Sequence, residues 1–252
     1  MSTYNIVSSD NASTVVAEYA AEYRAGKDYQ SEAQLEQDFI KRLSEQGYEY
    51  ISVTDEAGLV LNLRYQLETL NGYTFTDSEW ERFFTDAIAN KNEGIVEKTR
   101  KIQDDYVQIL KRDDGTTKNI YLIDKKHIHN NRLQVLNQYE TADGVHQNRY
   151  DVTVLVNGLP LVHIELKRRG GAIREAFNQI NRYQRESFWA ASGLFEYVQL
   201  FVISNGTHTK YYSNTTRFQH MTSELSQGMS RSRRLHVFRM TISLWTMANG
   251  SP

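Results

Sequence analysis

Residues 150–167 read YDVTVLVNGLPLVHIELK, and the reading of this stretch decides the fold. Val152, Val154 and Val156 alternate with Thr153 and Leu155, a β-branched pattern suited to a well-buried strand. Asn157-Gly158 is a dipeptide favoured in tight hairpin turns, so the chain is expected to fold back on itself there. On the returning strand Glu165 and Lys167 flank Leu166, and a period of two projects both charged side chains from one face while Leu166 enters the core. Asp151 opens the first strand. Two carboxylates that converge at one end of a hairpin can hold a hard divalent cation, and a neighbouring lysine can orient or deprotonate a water. That is the equipment for metal-assisted phosphodiester cleavage.

Register decides whether the three side chains meet. With a loop of Asn157 and Gly158 alone and regular pairing throughout, Asp151 falls opposite Ile164 and points away from Glu165 and Lys167. A one-residue offset sets Asp151 opposite Glu165. Either a three-residue loop ending at Leu159 or a β-bulge supplies it, and Gly158 and Pro160 suit such an irregularity. The expectation is an offset that gathers all three at one end of the sheet.

The composition bounds what else the chain can be. It has 252 residues, 40% hydrophobic and 24% charged, enough for one large globular domain with a sizeable core. Cysteine is absent, which fits a reducing cytoplasm and excludes disulfides, thiolate metal sites and cysteine nucleophiles. No segment has the apolar length of a signal peptide or membrane span, so no membrane partner is expected. A net charge of −2 argues against tight, unaided, non-specific DNA binding, because that affinity comes mostly from neutralised phosphates. If DNA is the substrate, something else delivers it.

Outside the hairpin, residues 1–28 read as a flexible N-terminal segment with a weak helix over Ser13 to Tyr23. Ser31 with Gln34 has the form of a capping box, and Leu35, Phe39, Ile40 and Leu43 follow at helical spacing until Gly47. A short strand is expected at Tyr50 to Val53, and a leucine-spaced helix at Leu59 to Leu70. An aromatic-rich helix runs to about Asn90, capped by Asp77 or Ser78. Two alternating segments between Tyr106 and Ile123 surround Asp113-Asp114-Gly115-Thr116 as a hairpin. Further strands are expected at Leu133 to Tyr139, Val198 to Ser204 and Thr209 to Tyr212, and an amphipathic helix at Ile173 to Phe188. Residues 218–252 form an atypical tail with Ser230-Arg231-Ser232-Arg233-Arg234 and an apolar patch. It reads as a poorly packed end, a basic DNA-contacting arm, or the sign of a fragment.

Helix, sheet with D…E-x-K and following helix together resemble the PD-(D/E)xK nuclease superfamily, with Tyr150 where proline often stands. That resemblance implies an α/β fold with a mixed central sheet flanked by helices. It assigns magnesium ligation to Asp151 and Glu165, and action on the attacking water to Lys167. Glu36 matches a first-helix glutamate seen in many such nucleases. Gln179 and Tyr183 look like the QxxxY motif of RecB-like members; residues four apart share a helix face, so both can support the lysine or touch DNA. Lys167-Arg168-Arg169 reads as a rim that steers phosphate.

A closer resemblance is to the endonuclease domain of the type I restriction enzyme R, or motor, subunit. The phrases YQSEAQLEQDFI, QGYEYISV, DSEWERF, GIVEKTRKIQ, NIYLIDKK, NRYDVTVLVNGLPLVHIELKRRG, IREAFNQINRY and VQLFVISNGT carry it in family order. It covers residues 29–217. The family implies a Mg²⁺-dependent, sequence-nonspecific nuclease acting on double-stranded DNA, with modification and specificity subunits as partners. ATP belongs to motor domains, and G-x-x-x-x-G-K-[ST] is absent from this sequence; Gly26-Lys27-Asp28 lacks the upstream glycine and the hydroxyl. Translocation is therefore not expected of these residues.

Blander readings stand beside these. The three charged residues can be a sheet edge that deters aggregation, Glu36 a solvated helix residue, and Gln179 and Tyr183 a surface amide and a half-buried aromatic. His163 shares strand parity with Glu165 and is read as an ordinary sheet histidine. The rival function is a non-catalytic DNA-engaging or subunit-docking module.

Overall fold

The computed structural model describes residues 4–9, 14–20, 31–141 and 148–214. In chain order the elements are β1 (Tyr4–Ser9), β2 (Thr14–Ala20), α1 (Glu32–Glu45), β3 (Glu49–Tyr50), α2 (Glu56–Asn71), α3 (Asp77–Phe83), α4 (Ile95–Gln103), β4 (Val107–Lys111) and β5 (Thr117–Tyr121). Then come β6 (Leu133–Thr141), β7 (Asn148–Val156), β8 (Leu159–Leu166), α5 (Ile173–Glu186), β9 (Leu200–Ser204) and β10 (His208–Ser213). The fold is α/β with a mixed sheet and helices, as expected. Two compact units divide the described residues, one holding those up to Tyr48, Ile164–Ile180 and those from Gln199 to Asn214, the other those within Glu49–His163 and Asn181–Val198.

In the first unit the strand order is β1-β2-β10-β9 and then the end of β8. The weak helix expected over residues 13–23 is instead β2, paired antiparallel with both β1 and β10. Val15, Val16 and Tyr19 are strong strand formers, and an available sheet edge overrides a marginal helical pattern. Helix α1 starts as the sequence indicates: Ser31 accepts from the Gln34 backbone and Gln34 reaches back to the Ser31 N–H.

In the second unit β8, β7, β6 and β3 follow in order, with β3 parallel and β7 antiparallel to β6. Helix α2 extends beyond the expected span because Asp55 caps it, accepting from Gly58 N–H at 2.8 Å. Leu59, Leu63 and Leu67 are wholly buried on one stripe of it. The aromatic-rich helix is capped by Thr76, not Asp77 or Ser78, and its last turn, Phe84–Ile88, widens into a π-turn. Ser78 is engaged elsewhere, with Thr76, on the Asp113 carboxylate at the tip of the β4–β5 hairpin. The expected tail at 218–252 lies outside the described residues.

The turn at Asn157-Gly158 fixes the second unit. Both residues have left-handed φ, 51° and 82°. The Asn157 amide is buried; it donates to Leu122 O and Asn131 Oδ1, and its oxygen accepts from Arg132 N–H at 2.8 Å. A Cβ on Gly158 would stand 2.6 Å from Leu63 Cα, so the turn lies directly on the backbone of α2. Gly158→Ala is therefore expected to destabilise by about 2–4 kcal/mol, from φ strain plus a backbone clash. Urea unfolding measures it, and a cost under about 0.5 kcal/mol would contradict this packing.

Candidate active site

In the first unit, the end of β8 carries a buried charge. Strand β8 is buried along its whole length, and Glu165 is 0% exposed. The Lys167 ammonium lies 3.4 Å from Glu165 Oε1. Burying a carboxylate costs several kcal/mol unless a cation and hydrogen bonds compensate, so the ion pair is part of what permits Glu165 there. Lys167 lies one residue beyond the end of β8, and its N–H donates to Ser204 O at 2.8 Å. The loop that follows is tied down by Asn205, whose amide donates to Gly171 O while its oxygen accepts from the N–H groups of Thr207 and His208.

Helix α1 meets this segment. Glu32 accepts from the Arg168 N–H at 3.2 Å. Glu36, one turn further on the same helix face, is buried, which removes its reading as a solvated residue. Arg168 and Arg169 are exposed, and Gln179 is half-buried on α5.

Asp151 belongs to the second unit, half-buried near the start of β7 beside the buried Tyr150. Tyr183 is buried, and its hydroxyl donates to Arg149 O at 2.9 Å. It therefore braces the backbone two residues before Asp151. Tyr150 shares a 2.7 Å hydrogen bond with Ser187, and its ring lies 4.8 Å from Tyr183, 4.6 Å from Phe195 and 5.4 Å from His163. His163 is thus a core member of an aromatic cluster. Its removal from water lowers its pKa from 6.5 to about 4, against a smaller opposing pull from the Asp151 charge.

One expectation is corrected here. Strand β7 ends at Val156 and β8 starts at Leu159, so the loop has two residues and not the three that would end at Leu159. The reason is local: Asn157 and Gly158 both adopt left-handed φ and close the tightest hairpin connection. No offset arises from the turn. Opposite Asp151 in β6, Gln138 has φ 56°, and the β6–β7 register is unchanged on either side of it, Asn137↔Val152 and Tyr139↔Tyr150. A positive φ at glutamine is uncommon and concentrates at functional or strained positions.

Among the described residues, no three or more histidine and acidic side chains are grouped as metal ligands. Asp151 in the second unit and Glu165 in the first each offer carboxylate oxygen alone, donor chemistry that fits a hard cation and does not fit a soft metal.

A family model described as the type I restriction enzyme R protein N terminus matches residues 29–220. The chain belongs to this family. It is 50% identical over 212 residues to the type I restriction enzyme EcoprrI endonuclease subunit of Escherichia coli, across 84% of this chain and 67% of that protein. It is 44% identical over 191 residues to the SsaAORF53P endonuclease subunit of Staphylococcus saprophyticus, across 74% of this chain and 20% of that one. To the HindI endonuclease subunit of Haemophilus influenzae it is 36% identical over 107 residues, 10% of that protein. The chain thus spans about a fifth of the staphylococcal relative's length.

Within this R-protein N-terminal domain, sequence reasoning missed Asn205, Gln138 and Ser187 as supports. Asn205 had a readable signal, an Asn-Gly turn directly after an apolar strand. Gln138 had none, since glutamine does not announce a positive φ.

His163 gives a pH prediction. Its folded pKa is depressed, so the stability it contributes is complete above pH 6.5 and is lost as pH falls towards about 4. His163→Phe is expected to flatten the unfolding free energy across that window in urea titrations at several pH values. A slope as steep as wild type would assign the acid sensitivity to another group.

Proposed function

We propose that this domain hydrolyses DNA phosphodiester bonds as the nuclease part of a type I restriction assembly. The observation that carries the reading is Glu165, wholly buried at the end of a strand with the Lys167 ammonium 3.4 Å away. A domain with a purely structural need at this position would place an apolar residue there, because an uncompensated buried carboxylate is destabilising.

In this reading Asp151 and Glu165 hold Mg²⁺. The bound ion supplies Lewis-acid polarisation of the scissile phosphate and a more acidic water. Lys167 presents N–H donors that position the attacking water or offset charge in the pentavalent transition state. Tyr183 keeps the β7 backbone ahead of Asp151 in place through Arg149 O, and Gln179 supports the lysine or touches the DNA backbone. Buried Glu36 stiffens the α1 side, and exposed Arg168 and Arg169 steer phosphate. Contacts to phosphate carry no base information, so cleavage is sequence-nonspecific, and specificity comes from modification and specificity subunits. ATP is used only by motor domains of a longer protein, and a chain without cysteine suits the cytoplasm. The net charge of −2 favours a second reading, a DNA-engaging or subunit-docking module inert by itself.

Mg²⁺-dependent nicking of supercoiled plasmid is the test. Asp151→Ala and Lys167→Ala are each expected to lower the nicking rate by at least about 100-fold, and Asp151→Ala also to weaken Mn²⁺ binding in calorimetry. Variants that nick as fast as wild type would sink the assignment. A wild-type chain that binds Mn²⁺ nowhere and nicks nothing would favour the docking reading.

A further inference from the structure

Away from these residues, the second unit carries a basic concavity. A cavity of about 320 Å³ is lined by Asn71, Lys118, Asn119, Tyr121, Lys126 and His127, with Leu70 and Asp124 completing it. We infer that this cavity takes the phosphate backbone of a DNA strand, an inference that rests on the nuclease reading.

The charges of the lining support that occupant. Asp124 is the one acid there, and its carboxylate is committed: Oδ1 accepts from the N–H groups of Lys126 and His127, and Oδ2 from the Asn130 amide at 2.8 Å. Those hydrogen bonds hold its pKa below the usual carboxylate range and fold the 124–130 segment into a turn that turns Lys126 and His127 outward. Lys118 is half-buried, with its ammonium 5.2 Å from the centre of the Tyr73 ring, a contact that holds the cation without neutralising it. Lys118, Lys126 and His127 therefore line a pocket whose one acid among the described lining residues is engaged by two backbone N–H groups and the Asn130 amide, with His127 Nδ1 3.7 Å from its Oδ2.

The walls are also fixed in place. Asn71 accepts from Tyr121 N–H at 2.7 Å and donates to Tyr121 O at 3.0 Å, clamping the strand that carries the 44% exposed Tyr121 ring. Asn131 accepts from Asp124 N–H and donates to Asp124 O, each at 2.8 Å, and is itself bound by the buried Asn157. A concavity whose walls are held by Asn71 and Asn131, and which is lined by Lys118, Lys126, Asn119 and the exposed Tyr121 ring, suits phosphate oxygens beside a stacked base. In a chain of net charge −2, DNA affinity has to come from such local concentration of positive charge.

The test compares the full chain with Lys118→Gln/Lys126→Gln, both in an Asp151→Ala background that leaves the DNA uncut. Anisotropy of a short labelled duplex is followed against salt, with inorganic phosphate and ATP as competitors and a thermal melt as fold control. Loss of two phosphate contacts is expected to weaken the duplex by about tenfold or more and to lower the salt slope by about 1.8. Unchanged affinity and slope in a variant that melts like wild type would overturn the inference. So would competition by phosphate or ATP that depends on the lysines while duplex binding does not. A wild-type chain that binds duplex through these lysines yet never nicks plasmid removes the nuclease reading and leaves the surface standing. A nicking chain whose double variant still binds normally does the reverse.

Discussion

The second unit depends on the way one tight turn is seated. Asn157-Gly158 closes the β7–β8 hairpin with two left-handed residues, and it touches α2 where no side chain fits. Three separate pieces are thereby referred to one place. Leu63 gives α2 its depth, the Asn157 amide fixes the 122–132 segment, and the hairpin starts its count at Val156 and Leu159. The turn is cheap only with this dipeptide, because asparagine tolerates left-handed φ and glycine alone tolerates both the φ and the close approach.

Charge is handled by enclosure as much as by exposure. Lys98 is 2% exposed, yet it donates to Gly193 O at 2.9 Å and to Glu196 at 2.7 Å, under the ring of Tyr197. Lys101, beside it on α4, reaches Ala87 O and Glu93. Glu165 with Lys167 follows the same pattern at the end of β8. Removing one partner of such a pair costs more than the pair contributes, since the remaining charge stays buried, so these positions tolerate substitution poorly even where they perform no chemistry.

Much of this was legible in the sequence, and what was not has identifiable causes. The capped helix at Ser31, the leucine stripe of α2, the two hairpins and the strands at 133, 200 and 208 all follow from periodicity and turn chemistry. Helix α4 was not read at all, because its buried face carries Lys98 and Lys101, and a periodicity built from apolar residues cannot see lysines used as core. Strand β2 was read as helix, since a sheet edge donated by β10 is invisible in a local window. At the candidate site, the pairing of Glu165 with Lys167 was legible from the spacing of two, although β8 itself ends at Leu166. The loop length was read both ways from one dipeptide, and only the observed φ values settle it. Tyr183 was placed on the right helix, but its burial and its bond to a main-chain carbonyl depend on partners more than thirty residues away in sequence.

The two units are also interleaved along the chain. Each takes residues from before and after the other, and the Lys98–Glu196 pair closes a loop of 98 residues. During synthesis neither unit can be completed early: the second waits for Val198, and the first waits for β10, whose partner β2 leaves the ribosome long before it. Each unit thus closes only after distant parts of its own sequence have been made, with a high share of distant contacts and correspondingly slow closure. No single cut in the polypeptide separates one unit from the other, so heredity and proteolysis alike must treat them as one piece.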